Sequence, residues 1–485
     1  MTDRSNSRPL RAAGGLTAAV ALLAGLNVAN AQAPAPAPPL SGAGSFPQSF
    51  IVPGTNTSLH VGGQIQIDAS YGFDTDGPSP TIGAYDNLAP ATVGIEGPGM
   101  AAPPPNHSNG GVFRFHANNS KLFTETRTPT SYGEMKTYIE FDFQGGQATN
   151  TTTAGGSTTT KCCMDDGIPR LRMAYGTLGP WLIGKAASNF VDLAALADTL
   201  DGFVQAGGFM GAGTFRQTQI RYTWLLPNGI SAAASIESAV SGGLIATTNN
   251  GGTATTSTAL NWNDVNAPGL SQRVPAFVGS AQIQQPWGHA KFAVAIMQER
   301  FRNTSVAASF GNIPTGTHLK RWGYMLAQSG HYNTFGRDKL TWSISYGQGA
   351  AQYSWPLSSP DLGLNFEEGL ICSGTSNVNP SASYVCSEPR VFGVNAGYAH
   401  EWTSEWRSGV SFGWDTVSKP NAAGAWGNGS LVKLEHRHWS AGASLFWTPV
   451  ANVQFGLGYL YYHREVWSGA RGSAHRLMTQ ALFRF

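Results

Sequence analysis

The sequence predicts an all-β chain: a 16-stranded antiparallel transmembrane β-barrel with short periplasmic turns and long extracellular loops. Three observations carry this. Side-chain character alternates with a period of two from Leu59 to the end. Seven short turns alternate with eight long polar loops. Aromatic residues gather beside the short turns. Beyond the N-terminal region no segment approaches the roughly 20 apolar residues of a spanning helix, so membrane insertion must use strands.

Composition agrees. Of 485 residues only 12% are charged, 11% are aromatic and 60 are Gly, while mean hydropathy is slightly polar at −0.16. A barrel with a lipid face and a wet interior produces this combination, because each environment claims half of the strand residues. The net charge of +2 excludes a strongly basic nucleic-acid binder.

The N-terminus reads as an export signal. Arg4, Arg8 and Arg11 precede a small, apolar stretch from Ala12 to Val28. Ala29-Asn30-Ala31 has the small-x-small form of a cleavage site, which places the cut after Ala31. The domain plan is therefore a signal peptide over 1–31, a periplasmic linker over 32–57 and a barrel over 58–485.

The strands follow in order. In the first, Leu59, Val61, Ile65, Ile67, Ala69, Tyr71 and Phe73 oppose His60, Gln64, Gln66, Asp68 and Ser70. The second opens with Phe113 and Phe115 outward and Arg114 and His116 inward. Its parity then fails at Asn118-Asn119. Uncorrected, Lys121 would face lipid, at a cost of about 2–4 kcal/mol near the midplane. A one-residue bulge at that point is predicted to return Lys121 and Glu125 to the interior. The third strand sets Met135, Ile139, Phe141 and Phe143 against Glu134, Lys136, Glu140 and Asp142. The fourth sets Leu171, Met173 and Tyr175 against Arg170 and Arg172. Strands 11, 13 and 15 show the same alternation, with Trp342, Phe412 and Tyr459 among their apolar sets.

Turns fall near Pro129, Gly179-Pro180, Asn228-Gly229, Trp287-Gly288, Gly336, Ser404-Glu405 and Pro449. The loops between them run roughly over 74–111, 144–167, 188–215, 238–273, 302–317, 351–389, 416–435 and 467–472. Tyr132, Trp181, Trp224, Trp287, Phe335, Trp402, Trp406 and Trp447 flank the turns and predict a girdle at the headgroup level. The final strand alternates Leu477, Ala481, Phe483 and Phe485 with Met478, Gln480 and Arg484, and its closing Phe resembles the assembly signal of outer-membrane barrels.

Several segments resemble the DcaP-like trimeric porins. They are Val52-Pro53-Gly54-Thr55-Asn56-Thr57-Ser58 leading into His60-Val61-Gly62-Gly63, Phe115-His116-Ala117 with Ser120-Lys121-Leu122 and Glu125-Thr126-Arg127-Thr128-Pro129-Thr130, Thr137-Tyr138-Ile139-Glu140-Phe141-Asp142-Phe143, Leu171-Arg172-Met173-Ala174-Tyr175-Gly176 with Leu182-Ile183-Gly184-Lys185, and Arg216-Gln217-Thr218-Gln219-Ile220-Arg221-Tyr222-Thr223. These cover the first six strands. The resemblance implies a 16-stranded homotrimeric channel in the outer membrane of a Gram-negative bacterium, with a preference for dicarboxylates. The chain departs from the family in lacking an N-terminal coiled coil, in having Lys121 where Arg is usual, and in Lys185-Ala186-Ala187.

A barrel this wide leaves an aqueous pore, and selectivity then needs a constriction with arranged charges. The third loop, 188–215, occupies the position of the loop that folds into the lumen in general porins. It carries Asp192, Asp198 and Asp201. Opposite it the reading sets a basic wall of Arg114, Lys121, Arg170, Arg172, Lys185 and Arg221, with Lys185 in conflict with the parity of Ile183. Arginine clamps carboxylates through paired hydrogen bonds, so small anions would gather there. The competing reading pairs these charges with Glu125, Glu134, Glu140 and Asp142. The partners expected are membrane lipid and small hydrophilic solutes, with no cofactor and no nucleic acid.

Cys372 and Cys386 bracket a polar loop and either pair in an oxidising compartment or stand as isolated thiols, like the adjacent Cys162 and Cys163. Cys162-Cys163 lacks the spacing of a zinc site and reads as an outer loop, His436-Arg437-His438 reads as a lumen rim, and no nucleophile triad, phosphate loop or dinucleotide fingerprint is present, so no catalytic or metal residues are assigned. Two alternatives remain: a monomeric substrate-specific channel, and a barrel enzyme using the rim set His463, Glu465 and His475.

Overall fold

The structure is a computed structural model. It describes residues 42–73, 112–143, 147–154, 157–167, 169–200, 216–239, 243–246, 257–259, 274–302, 318–354, 370–374, 384–419, 435–467 and 469–485. The proposed signal peptide, Arg114's side chain, Asp201 and the loop over 74–111 lie outside what it describes.

Sixteen antiparallel strands close into one barrel. They are β1 (Ser58–Gly72), β2 in two segments (Val112–His116 and Lys121–Thr130), β3 (Gly133–Asp142), β4 (Arg170–Leu178), β5 (Trp181–Ala187), β6 (Arg216–Leu225), β7 (Ile230–Glu237), β8 (Ala276–Gln285), β9 (Gly288–Arg302), β10 (His318–Asn333), β11 (Lys339–Gln348), β12 (Arg390–Glu401), β13 (Trp406–Val417), β14 (Glu435–Val450), β15 (Val453–Val466) and β16 (Arg471–Arg484). Each pairs with its neighbour in sequence, and β16 returns to β1 in register from Gln64↔Arg484 to Gly72↔Arg476. Closure leaves no edge strand exposed to lipid. No helix among the described residues is long and apolar enough to cross a membrane.

Parity sets the two faces. Val61, Ile65, Phe113, Phe115, Ile139, Phe141, Phe292, Ile344, Val410, Phe412 and Leu457 are exposed on the lipid side. Tyr132, Trp181, Trp224, Trp287, Phe335, Trp402, Trp406 and Trp447 are exposed beside the short turns, as a girdle requires. The inferred bulge is present. Asp68 stands opposite His116 and Gln64 opposite Lys121, so four steps along β1 match five along β2 and one residue is extra.

A second bulge was not foreseen, and it corrects one strand. Between β3 and β4, Glu140 pairs with Met173 but Phe141 pairs with Leu171. The shift reverses parity beyond it, so Tyr175 faces the interior opposite Tyr138, with ring centroids 5.5 Å apart. The expectation that Met173 and Tyr175 share the lipid face of Leu171 therefore fails, since Met173 stands opposite inward Glu140 and Tyr175 opposite inward Tyr138.

The loops are not wholly irregular. Gln147–Ala154 pairs with Ser157–Gly167, and Gly243–Ala246, Ser257–Ala259, Leu370–Gly374 and Tyr384–Ser387 form a four-stranded sheet. In the hairpin, runs of threonine favour extended backbone.

Candidate pore constriction

The third loop leaves β5 and turns inward. At its start Ser188 Oγ donates to Glu237 Oε2 (2.6 Å) and the Asn189 amide donates to Glu237 Oε1 (2.8 Å). Asn189 Nδ2 donates to the Val278 carbonyl at 3.2 Å. Phe190 and Val191 then pack on an unusual stretch of inner wall, where Ala276, Val278, Ala293, Ala295, Met297, Met325 and Ala327 are buried. A pore wall is normally polar. These small apolar residues face inward because a loop, rather than water, covers them.

Asp192 is the hinge of the anchorage. One carboxylate oxygen accepts from the Ala194 amide (3.1 Å) and caps the short 3₁₀ turn Leu193–Ala195. The other contacts His289 Nε2 at 3.1 Å and accepts from Ser329 Oγ at 2.8 Å. Lys291 Nζ donates to the Val191 carbonyl at 2.8 Å. Burial opposes ionisation of Asp192, but the bonds from His289 and Ser329, with the charge of Lys291, hold its carboxyl below the usual range. Farther on, Asp198 accepts from Arg407 Nε on β13 (2.7 Å), and the Leu200 amide donates to Ser444 Oγ on β14 (3.0 Å). The glycines make room for this path: a Cβ at Gly397 would strike Ala197, and one at Gly409 would strike the Asp198 carbonyl.

Residues 188–200 of the loop thus lie along the inner wall from β7 to β14, away from the wall formed by β1–β6. That wall carries the expected charges in mixed order. Arg172 bonds Glu140 and Asp142, each at 2.5 Å, and Arg170 bonds Asp142 at 2.5 Å. Glu125 is paired with both Arg127 (2.7 Å) and Lys136 (2.9 Å). Lys121 sits within electrostatic range of Arg172, Arg216, Glu140 and Asp142. Arg221 has Glu237 and Tyr175 as its electrostatic neighbours. A row of rings from His60 through Phe123 and Tyr138 to Tyr175 spans the same wall, with successive centroids 5.2, 5.6 and 5.5 Å apart.

Lys185 leaves the expected wall. It shares a register with outward Ile183, pairs with Thr218, and its Nζ donates to the Leu171 carbonyl at 3.0 Å. Arg114 lies in the first segment of β2, opposite Ser70. Asp192 and Asp198 are spent on the far wall instead of facing the arginines. Sequence reasoning missed three contributors. Arg216 opens β6 in the register of outward Ile220 yet within electrostatic range of Arg170 and Arg172, while His289 and Lys291 anchor the loop from β9. Arg216 was legible as the first charge after a loop of glycines, whereas the β9 pair had no local signal.

Elsewhere, His438 lies fully buried between Asp415 (2.5 Å) and Glu435 (2.8 Å), with Arg464 on Glu435, joining β13, β14 and β15. In the rim set, His463 bonds Ser473, His475 bonds Tyr459 and Glu465 contacts His436. Cys386 is disulfide-bonded, and Cys372 stands directly across from it in register.

A closed barrel of 16 strands with an apolar outer band, a charged inner wall and an infolded third loop defines the class: an outer-membrane porin. Residues 46–480 match the model described as the porin subfamily, and the chain belongs to that family. Its place is the outer membrane of a Gram-negative bacterium, and its role is that of a channel. Among solved structures, it is similar to the outer-membrane channel DcaP of Acinetobacter baumannii, with a TM-score of 0.57, 18% identity, and coverage of 88% of this chain and 97% of that one. The anion-selective porin from Comamonas acidovorans aligns with a TM-score of 0.48 at 10% identity, covering 88% of this chain and all of that one (100%). OmpF of Salmonella typhi, in complex with daunomycin, aligns at 0.45 and 11%, covering 88% of this chain and 98% of that chain. No curated protein matches the chain.

Proposed function

We propose that the chain is a passive diffusion channel for small hydrophilic solutes with a preference for anions, carboxylates and dicarboxylates among them, and that it works as a homotrimer. The observation that carries the anion preference is the disposition of charge around the passage. The loop carboxylates Asp192 and Asp198 are committed to His289, Ser329 and Arg407 on the far wall. The near wall brings Lys121, Arg170 and Arg172 together around Glu140 and Asp142, with Arg216 in electrostatic range of them, while Arg221 stands apart beside Glu237. In a narrow, partly desolvated passage such a surplus acts on a permeating ion more strongly than it would in open water. Trimerisation is supported by the resemblance to trimeric porins alone. The register of Cys372 and Cys386 supports a disulfide that pins the loop sheet.

The test is solute flux into proteoliposomes. Small mono- and dicarboxylates should enter faster than ammonium-bearing solutes of equal size. Equal rates, or faster cation entry, would remove the anion preference and leave only a size filter.

A further inference from the structure

The chain ahead of the barrel does not trail away from it. The Gly44 amide donates to the Ser49 carbonyl (2.9 Å), Ala43 bridges to Phe50, and Phe50–Ile51 pairs back on Leu59 and Ser58. The Ser45 amide donates to Ser58 Oγ at 2.8 Å. Gln48 takes a left-handed backbone conformation (φ 60°), which sharpens the bend.

This folded segment is held on the inner face of the barrel. The Phe46 ring receives the Arg127 guanidinium at 4.4 Å from its centroid and meets the His60 ring at 6.3 Å. Arg127 and His60 both have inward register, and Arg127 is itself fixed by Glu125 at 2.7 Å. A guanidinium over an aromatic face is attracted by the ring quadrupole. Gln48 closes one side of a cavity of about 260 Å³ whose other sides include His60, Gln64, Lys121, Tyr138 and Arg484. The turn-side ends of β1, β2 and β16 all meet here, so the segment stands in the mouth of the passage.

We propose that residues 42–49 form a second filter, at the periplasmic mouth, in series with the third loop. Gln48 narrows the exit, and the Phe46–Arg127 contact is the latch that keeps it there. The inference rests on the channel reading. A permeating solute would then cross two constrictions, with the cavity between Gln48 and Lys121 as the compartment that separates them.

The experiment is thiol modification during planar-bilayer recording. Gln48→Cys would be exposed to a bulky, charged methanethiosulfonate reagent added on the turn side, with the unmodified chain and Thr55→Cys, on the exposed hairpin, as controls. Modification of Gln48→Cys should lower single-channel current by roughly half or more, because a constriction dominates pore resistance. Thr55→Cys should be unaffected. Phe46→Ala should speed the labelling of Gln48→Cys and raise the current. Complete labelling by mass with unchanged current would place the segment off the path and overturn the filter while leaving the channel intact. Absence of any current from folded barrels would instead overturn the channel reading beneath it.

Discussion

Asp198 accepts a hydrogen bond from Arg407 at 2.7 Å, joining the third loop to β13, half the circumference away from β5 where that loop begins. The contact is partly exposed, with 37% and 22% of the two side chains open, so alone it contributes on the order of 0–1 kcal/mol. Asp192, buried between β9 and β10, is the stronger tether.

Removing that tether separates the two contributions. Asp192→Ala strands His289 and Ser329 and should cost the loop about 1–3 kcal/mol of anchorage. Single-channel records should show larger mean conductance and rapid flicker. Arg407→Ala should change both far less. Equal effects from the two variants would show that the loop is held mainly by the apolar packing of Phe190 and Val191.

Acid should act through the same group. The Asp192 carboxyl is held below its usual range in the folded loop, so its contribution is full above the unfolded value of about 3.9 and is lost as pH falls through the lower, folded value. Conductance noise should therefore rise reversibly below about pH 4. Asp192→Asn, which cannot titrate, should abolish the pH step, as read from noise spectra across an acid series.

On the opposite wall, Arg172 is the balance point between Glu140 and Asp142. Arg172→Ala together with Arg221→Ala deletes two cations and releases two carboxylates from a close partner. Selectivity should move toward cations, and carboxylate flux should fall. Glu140→Gln should move it the other way. A double variant indistinguishable from the native chain would reduce the wall to solvated lining.

The β1–β16 seam ends on a glycine with no room for a side chain. Gly63 and Phe485 exchange both backbone hydrogen bonds, at 3.0 and 3.1 Å. A Cβ at Gly63 would meet the Lys121 carbonyl at 2.5 Å and the Phe485 ring at 2.8 Å. Gly63→Val should sharply reduce the heat-modifiable barrel recovered from membranes, and Phe485→Ala should reduce it by weakening the last rung. Native yields of both would show that closure is fixed by the rest of the β1–β16 ladder.

The barrel was legible because its grammar is local. Alternation, turn spacing and girdle aromatics each depend on residues close in sequence, and even the β2 bulge followed from Lys121 and Glu125 needing water. The site was legible only in part. Arg170, Arg172 and Arg221 could be placed by parity, but their partners depend on register across strands, which the β4 bulge shifts. That bulge turned Tyr175 inward and left no mark in the pattern, because Met173 and Tyr175 are tolerated on either face. The anchors of the loop, His289, Lys291 and Ser329, lie about 100 residues or more from Asp192, and nothing local announces such a contact.

The most direct measurement is the reversal potential of single channels in a planar bilayer under a salt gradient. An open channel with this charge arrangement should show a reversal potential shifted toward the anion equilibrium value, with the shift growing as salt is lowered and screening weakens. A reversal potential on the cation side at low salt would contradict it.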